Sequence, residues 1–165
     1  MSAIVLNTVV FLGSAQSGGR LCDRVTTWVK STLALWSSSL GNDTVTHAVK
    51  VIDLIDVFGP GGALSHSGAE LRLPTHHFGP DSALGPKTLE LRAMINAADC
   101  YLIISPEYNH TIPPALSSLL GHFGGSSYMC KPGTYDVSNC QFIIAFMYYC
   151  PRQGPSHHII THNIW

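Results

Sequence analysis

The alternation of short apolar segments with helical patterns constrains the fold more than any other feature of this sequence. Ile4 to Leu12 is apolar and rich in β-branched residues, which predicts a fully buried β-strand. A Gly/Ser loop, Gly13 to Gly19, follows, and apolar residues then recur at helical spacing from about Arg20 to Trp36. A strand that leads into a helix in this way begins a βαβ unit, which predicts a parallel sheet.

The rest of the chain repeats this alternation. A second strand, a second helix, a third strand and a third helix are predicted at Val45–Ile55, Pro86–Ala97, Tyr101–Ser105 and Ala115–Phe123. Between the second strand and the second helix, Phe58 to Gly85 is rich in Pro, Gly, Ser and His, and loops of that length are usually functional or mobile. The order of elements predicts an open α/β sheet with right-handed crossovers.

Composition excludes several classes of protein. The 165 residues suit one domain, and a net charge of -1 gives no electrostatic reason to expect nucleic acid or an anionic membrane as a partner. Five cysteines without a CxxC motif argue against a disulfide framework and predict a reduced, cytoplasmic location. The histidine pairs at 76–77 and 157–158 predict no metal site, because adjacent side chains point apart and no acid stands at HExxH spacing.

The first predicted loop, GSAQSGGR, joins a buried strand to a helix N-terminus. Free backbone N–H groups and the helix dipole favour a phosphate there. Ser14 and Ser17 add hydroxyl groups, and Arg20 adds a fork of donors for phosphate oxygens. The loop has neither the GxGxxG nor the GxxxxGK[ST] pattern. A Gly/Ser turn without a ligand is the alternative, and the spacing alone leaves both interpretations open.

The second loop, Pro106 to Thr111, follows the third strand, and parallel strands end at the edge of a sheet where ligands bind. Prolines on both sides stiffen it, so its backbone amides have little freedom to collapse. A planar ring could lie against this loop, with Tyr108 packing and Asn109 forming hydrogen bonds. The alternative is that Glu107 and Asn109 act as helix-capping and turn residues. These two interpretations also remain open.

Two motifs together resemble a known family. Ser105 to Leu116, SPEYNHTIPPAL, resembles the PEYN-type signature of the NADPH-dependent FMN reductase family. The first loop is similar to that family's G-S-x-R-x-G-R loop, and VIDLID (51–56) resembles its second-strand segment. The aromatic and Lys-Pro positions that follow in the family correspond here to Phe123, Tyr128, Lys131 and Pro132. The resemblance covers roughly Val9 to Pro132.

The resemblance implies a flavodoxin-like α/β fold: an open parallel sheet of order 2-1-3-4-5 with helices on both faces. It implies bound FMN, NADPH as the reductant, a homodimer, and quinones, dyes, metal ions or free flavin as acceptors. No side chain corresponds to a catalytic acid or base. The residues implied to bind the cofactor are Ser14, Gln16 and Arg20 around the phosphate, and Pro106, Glu107, Tyr108 and Asn109 along the isoalloxazine.

The sequence departs from the family pattern at two places. Gln16 stands where the family usually has arginine, and the first loop is one residue longer. Nothing after Pro132 resembles the family, so we expect a flavodoxin-like FMN reductase domain at 1–132 and a divergent tail at 133–165. Residues 141–149 form either a substitute strand or an aggregation-prone segment. If the last strand and helix are missing, the alternative function is a protein that binds FMN weakly or not at all, without turnover.

Overall fold

The computed structural model describes residues 4–39, 45–65, 75, 84–109, 111–123, 127–128 and 142–148. These residues contain the predicted strands and helices in the predicted order, with one additional short helix after the second strand. Their order is β1 (Ile4–Leu12), α1 (Leu21–Ser39), β2 (Val45–Asp53), α2 (Leu54–Phe58), α3 (Pro86–Asn96), β3 (Cys100–Pro106), α4 (Pro114–His122) and β4 (Phe142–Tyr148).

β1 lies at the centre of the sheet, whose order is β2-β1-β3-β4. It runs parallel to β2 from the Ile4–Val45 pair to the Leu12–Asp53 pair. It also runs parallel to β3, from the Thr8–Cys100 pair to the Leu12–Ile104 pair. The predicted parallel 2-1-3 order and the flavodoxin-like α/β class are therefore confirmed, and the three strands end at one edge of the sheet.

β4 pairs with β3 in the antiparallel direction. Phe142 lies opposite Pro106, and Tyr148 lies opposite Cys100. The strand thus occupies the fourth place in the predicted order but starts at the edge where β3 ends, whereas a parallel strand starts at the opposite edge. The expectation of an all-parallel sheet is wrong for this strand, because an antiparallel edge strand satisfies the backbone hydrogen bonds equally well.

Helices cover both faces of the sheet, and this explains why the second half of β1 is buried on both sides. On one face, residues of β1 and β3 pack against α1; the buried members of this cluster are Val10, Leu12, Cys22, Val29, Leu33, Leu102 and Ile104. On the other face, α2, α3 and α4 supply the cover; buried members include Val9, Phe11, Leu54, Ile95, Tyr101, Ile103, Leu116 and Leu119. The core therefore consists of two apolar layers separated by the sheet.

The first half of β1 is more exposed than predicted. Ile4 and Val5 are 46% and 58% exposed, although the apolar run predicts a fully buried strand. The register gives the reason, because β3 pairs with β1 only from Thr8 onward. Ile4 and Val5 therefore have a strand neighbour only in β2.

α1 is close to its predicted span and ends later, at Ser39 instead of Trp36. Its hydroxyl side chains return hydrogen bonds to the preceding turn: Thr26 Oγ1 donates to the Cys22 carbonyl at 2.7 Å and Thr27 Oγ1 to the Asp23 carbonyl at 3.0 Å. Trp28 is 52% exposed, so its ring is not part of the apolar layer between α1 and the sheet.

β2 ends two residues before its predicted end, and the short helix α2 that follows was not predicted. Asp53 is the N-cap of α2, and its carboxylate accepts a hydrogen bond from the Ile55 N–H at 2.9 Å. An N-cap aspartate stabilises a helix start by satisfying a free N–H group. The apolar residues after Asp53 therefore enter a helical turn instead of extending the strand.

We expect the Tyr101→Phe variant to lower the free energy of unfolding by about 1 kcal/mol, the usual contribution of one hydrogen bond. The buried Tyr101 hydroxyl donates to the Ile95 carbonyl at 2.6 Å and lies 3.3 Å from the Ser127 carbonyl. Urea unfolding followed by circular dichroism measures the change. The matched control is Tyr108→Phe, because that ring is exposed. Equal stability of Tyr101→Phe and wild type would contradict this account of the α3–β3 contact.

Candidate functional site

The first loop begins in contact with the end of β3, directly before the second loop. The Gly13 N–H donates to the Ile104 carbonyl of β3 at 2.8 Å, which extends the β1–β3 pairing into the first loop. A Cβ atom at position 13 would lie 2.5 Å from Ser105 Cβ and 3.0 Å from Leu116 Cδ2, so only glycine fits this contact. The loop after β1 and the loop after β3 are therefore neighbours at the carboxyl edge of the sheet.

The first loop presents backbone amides. Ser14 is buried, and its hydroxyl accepts a hydrogen bond from the Gln16 N–H at 3.4 Å. Gly18 and Gly19 both adopt left-handed backbone conformations, with φ of 84° and 62°. No described residue accepts a hydrogen bond from the N–H groups of Ser17, Gly18 or Gly19. Consecutive N–H groups of this kind, next to the start of a 19-residue helix, suit an anion such as a phosphate.

The Arg20 guanidinium donates hydrogen bonds to three residues. Its Nη1 donates to the Asp53 carboxylate at 2.8 Å and to the Ser14 carbonyl at 3.2 Å. Its Nη2 donates to Asp53 at 2.5 Å and to Asp23 at 2.8 Å, and its Nε donates to Asp23 at 3.3 Å. A guanidinium group has five N–H donors, so these contacts occupy all of them.

The charges around Arg20 do not favour an anion. The side chains of Arg20 and Asp53 are only 10% and 15% exposed, whereas that of Asp23 is 48% exposed. Hydrogen bonding to Asp53 raises the pKa of Arg20. Burial acts to raise the pKa of Asp53, but hydrogen bonds from Arg20 and the Ile55 N–H outweigh it and hold that pKa below its usual value. Two carboxylates and one guanidinium leave this cluster with a net negative charge at neutral pH.

The second loop forms a tight turn after Pro106, the last residue of β3. The Tyr108 N–H donates to the Thr111 carbonyl at 2.9 Å, and the Thr111 N–H donates to the Tyr108 carbonyl at 3.1 Å. Asn109, inside the turn, has φ of 51°, which asparagine adopts more easily than most residues. The side chains of Tyr108 and Asn109 are exposed, so both are open to a ligand at this edge.

The alternative interpretation of the second loop is that Glu107 and Asn109 act as helix-capping and turn residues. The N-cap position of α4 belongs to Pro113, and no side chain forms a capping hydrogen bond there. Glu107 and Asn109 therefore do not cap α4, although Asn109 does act as a turn residue. Contact of Ser14, Gln16, Arg20 and residues 106–109 with a cofactor stays a prediction.

Sequence reasoning assigned no role to Asp53, although it stands in the VIDLID segment. The available signal was positional: an acid at the carboxyl end of β2 lies beside the loop that carries Arg20. Cys22 of α1 is a free, buried cysteine. Burial raises the pKa of its thiol, so it is not a reactive group of this site.

Several predictions fall outside the described residues. They concern His110, Lys131, Pro132, Cys130, Cys140, Cys150 and both histidine pairs. Within the described part of the chain, no group of three or more His, Cys, Asp or Glu side chains could hold a metal ion. No helix among those residues is both long and apolar enough to cross a bilayer.

A model of the NADPH-dependent FMN reductase family matches residues 6–152. The matched span includes both loops, the whole of β2, β3 and β4, and β1 from Leu6 onward. It extends beyond Pro132, so the expectation that nothing after Pro132 resembles the family is wrong. No curated protein matches the chain at a significant level.

We expect the Gly13→Ala variant to lower the free energy of unfolding by about 1–3 kcal/mol, because the added methyl group overpacks the contact with Ser105 and Leu116. Thermal unfolding measures this change. The matched control is Gly121→Ala, where a Cβ meets no atom within 4 Å and replaces a glycine inside α4. That variant should be as stable as wild type or more so. If both alanine variants behave alike, Gly13 does not pack tightly against Ser105 and Leu116.

Acid should weaken the fold partly through Asp53. Its folded pKa is lowered, so its stabilising contribution is present above its unfolded value of about 3.9 and is lost as the pH falls below that value. We expect wild type to lose more stability between neutral pH and about pH 3 than the Asp53→Asn variant, which cannot titrate there. Urea unfolding at a series of pH values tests this. An identical acid loss in both proteins would show that the Arg20–Asp53 pair does not stabilise the folded state.

Proposed function

The chain belongs to the NADPH-dependent FMN reductase family, and on that premise we propose that it is an NAD(P)H-dependent reductase. It carries hydride or electrons from NADPH through bound FMN to quinones, dyes, metal ions or free flavin. The observation that supports this most is the junction at Gly13 and Ser105, because it puts both family motifs at one edge of the sheet. Ligands of open α/β folds bind at that edge.

We assign the phosphate end of the cofactor site to the first loop. The donors there are the N–H groups of Ser17, Gly18 and Gly19, together with the side chains of Ser14 and Gln16. Arg20 contributes to this end of the site indirectly, because its hydrogen bond to the Ser14 carbonyl holds the loop. The chain therefore fits a phosphate through backbone amides and helix α1 more than through a free cation.

We assign the ring end of the site to Pro106, Glu107, Tyr108 and Asn109. The left-handed Asn109 and the stiff proline fix the backbone of this turn, so its N–H and C=O groups have defined directions. The exposed Tyr108 ring can pack against a planar group. Bound FMN supplies the redox chemistry, namely acceptance of hydride from NADPH and donation of electrons to the acceptor. The side chains position the cofactor and exclude water, and none of them is assigned as an acid or base.

We also propose a homodimer in the cytoplasm. Leu21, Trp28 and Leu35 are exposed on α1 and are seven residues apart, so they lie along one side of the helix. Exposed apolar side chains in one stripe are typical of a protein–protein contact. A second copy of the chain is the partner that the family resemblance implies.

A second candidate function is a flavodoxin-like protein that binds FMN weakly or not at all and has no turnover. One observation favours it: the guanidinium of Arg20 is fully engaged by Asp23, Asp53 and Ser14, and Gln16 adds no charge. The phosphate end then lacks a side-chain cation of its own in the first loop.

The visible absorbance of the purified chain, followed by FMN titration and anaerobic addition of NADPH, tests the proposal. A flavin band that co-purifies or saturates, and that NADPH then bleaches, is the expected result. No binding of FMN to a chain that is folded by circular dichroism would contradict the reductase proposal and favour the second candidate.

A substitution in the first loop tests whether that loop takes part in FMN binding. Gly19→Ala places a side chain at a left-handed position, which costs about 1–2 kcal/mol, so FMN affinity should fall by about tenfold. The matched control is Gly85→Ala, whose φ is −63° and whose Cβ meets no atom within 4 Å. FMN affinity unchanged in Gly19→Ala would remove the first loop from the site.

A further inference from the structure

The Arg20–Asp53 pair connects three parts of the chain. Asp53 is the last residue of β2, Arg20 is the last residue of the first loop, and Asp23 lies in the first turn of α1. The pair is bidentate, with contacts of 2.8 and 2.5 Å, and both side chains are largely buried. Such pairs have a fixed geometry, because two parallel hydrogen bonds define the orientation of the guanidinium plane.

Asp53 is itself held in place from the side of β2. Its Oδ1 accepts the N–H of Ile55 at 2.9 Å as the N-cap of α2, and its backbone belongs to a strand paired along its full length with β1. The carboxylate is therefore a fixed anchor that orients the Arg20 guanidinium.

Arg20 in turn restrains the first loop. Its Nη1 also donates to the Ser14 carbonyl at 3.2 Å, and Ser14 follows Gly13, whose backbone packs against Ser105. A continuous set of contacts thus runs from β2 through Asp53, Arg20, Ser14 and Gly13 to Ser105 near the end of β3. The exposed stretch from Ala15 to Gly19 lies between the two positions that are held.

Direct binding of a phosphate by Arg20 would require it to release a carboxylate. All five of its donors are in use, and the two carboxylates around it would repel the incoming anion. Asp53 would in that case be an inhibitor of binding, since it competes with the phosphate for the same guanidinium.

We propose that Arg20 is a positioning residue of the flavin site: anchored by Asp53, it holds the first loop so that its backbone amides face the phosphate. This inference rests on the proposed function, because it specifies how the phosphate end of that site is built. It also assigns Asp53, outside both loops, a part in cofactor binding.

The direction in which one substitution changes FMN affinity distinguishes the two possible roles of Arg20. If Arg20 positions the loop, Asp53→Asn loosens the anchor, and FMN affinity falls by about tenfold although a negative charge is removed. If Arg20 binds the phosphate directly, the same substitution frees the guanidinium and FMN affinity rises. Asn caps helices as well as Asp does, so the start of α2 is expected to persist.

Asp23→Asn is the matched control. It removes the same charge from the same guanidinium, but at a position 48% exposed and three residues along the chain, so it ties Arg20 to the start of α1 and not to β2. We expect FMN affinity to change by less than threefold in this variant. A fall in affinity of equal size in Asp23→Asn and Asp53→Asn would overturn the anchoring role of Asp53.

Arg20→Lys provides a second variant with the charge retained. A lysine cannot form the bidentate contact with Asp53 and also reach the Ser14 carbonyl, so the proposal predicts an affinity loss similar to that of Asp53→Asn. Retention of wild-type FMN affinity by Arg20→Lys would indicate that the charge alone matters and would overturn the proposal. Thermal unfolding of each variant shows that the protein measured is folded.

Hydrogen exchange of the flavin-free chain tests the positioning role without any cofactor. We expect amides of residues 13–20 to exchange about tenfold faster in Asp53→Asn and Arg20→Lys than in wild type and Asp23→Asn. If wild type binds no FMN, the proposed function fails, and this measurement alone decides whether Arg20 holds the loop. Wild-type exchange rates for these amides in both Asp53→Asn and Arg20→Lys would overturn the proposal.

Discussion

Parallel hydrogen bonding of β1 to β2 and β3 is the constraint on which the rest of the structure depends. Because the three strands run in one direction, the loops after β1 and β3 and the end of β2 all lie at the same edge of the sheet. The Gly13–Ile104 hydrogen bond continues this pairing one residue beyond the strand. The candidate site is thus a consequence of strand direction, and its side chains are distributed over segments far apart in the sequence.

Whether the first loop suits an anion depends on how one largely buried charge, that of Arg20, is used. Arg20 is the cation of the first loop, yet the structure commits it to Asp53, Asp23 and the Ser14 carbonyl. We expect a buried ion pair of this geometry to fix the conformation of the loop more than it adds net stability. The loop therefore has backbone amides and a helix N-terminus available for an anion. Arg20 restrains the conformation of the loop and is not a free cation.

The sequence predicted those elements whose signals are local. The apolar β-branched run gave both ends of β1, and Pro86 gave the first residue of α3, because each pattern depends on neighbouring residues only. It missed α2 and the role of Asp53, since an N-cap and an ion pair depend on which strand ends beside which loop. The direction of β4 was likewise beyond local patterns, because antiparallel and parallel partners of β3 require the same apolar residues.

The central claim is that two loops, one after β1 and one after β3, form a single site for FMN. Hydrogen exchange of the wild-type chain with and without saturating FMN tests this claim most directly. The account predicts that peptides covering residues 13–20 and 105–111 both gain protection, and that both do so at the same FMN concentration. Protection of only one loop, or of neither while FMN is bound, would contradict it.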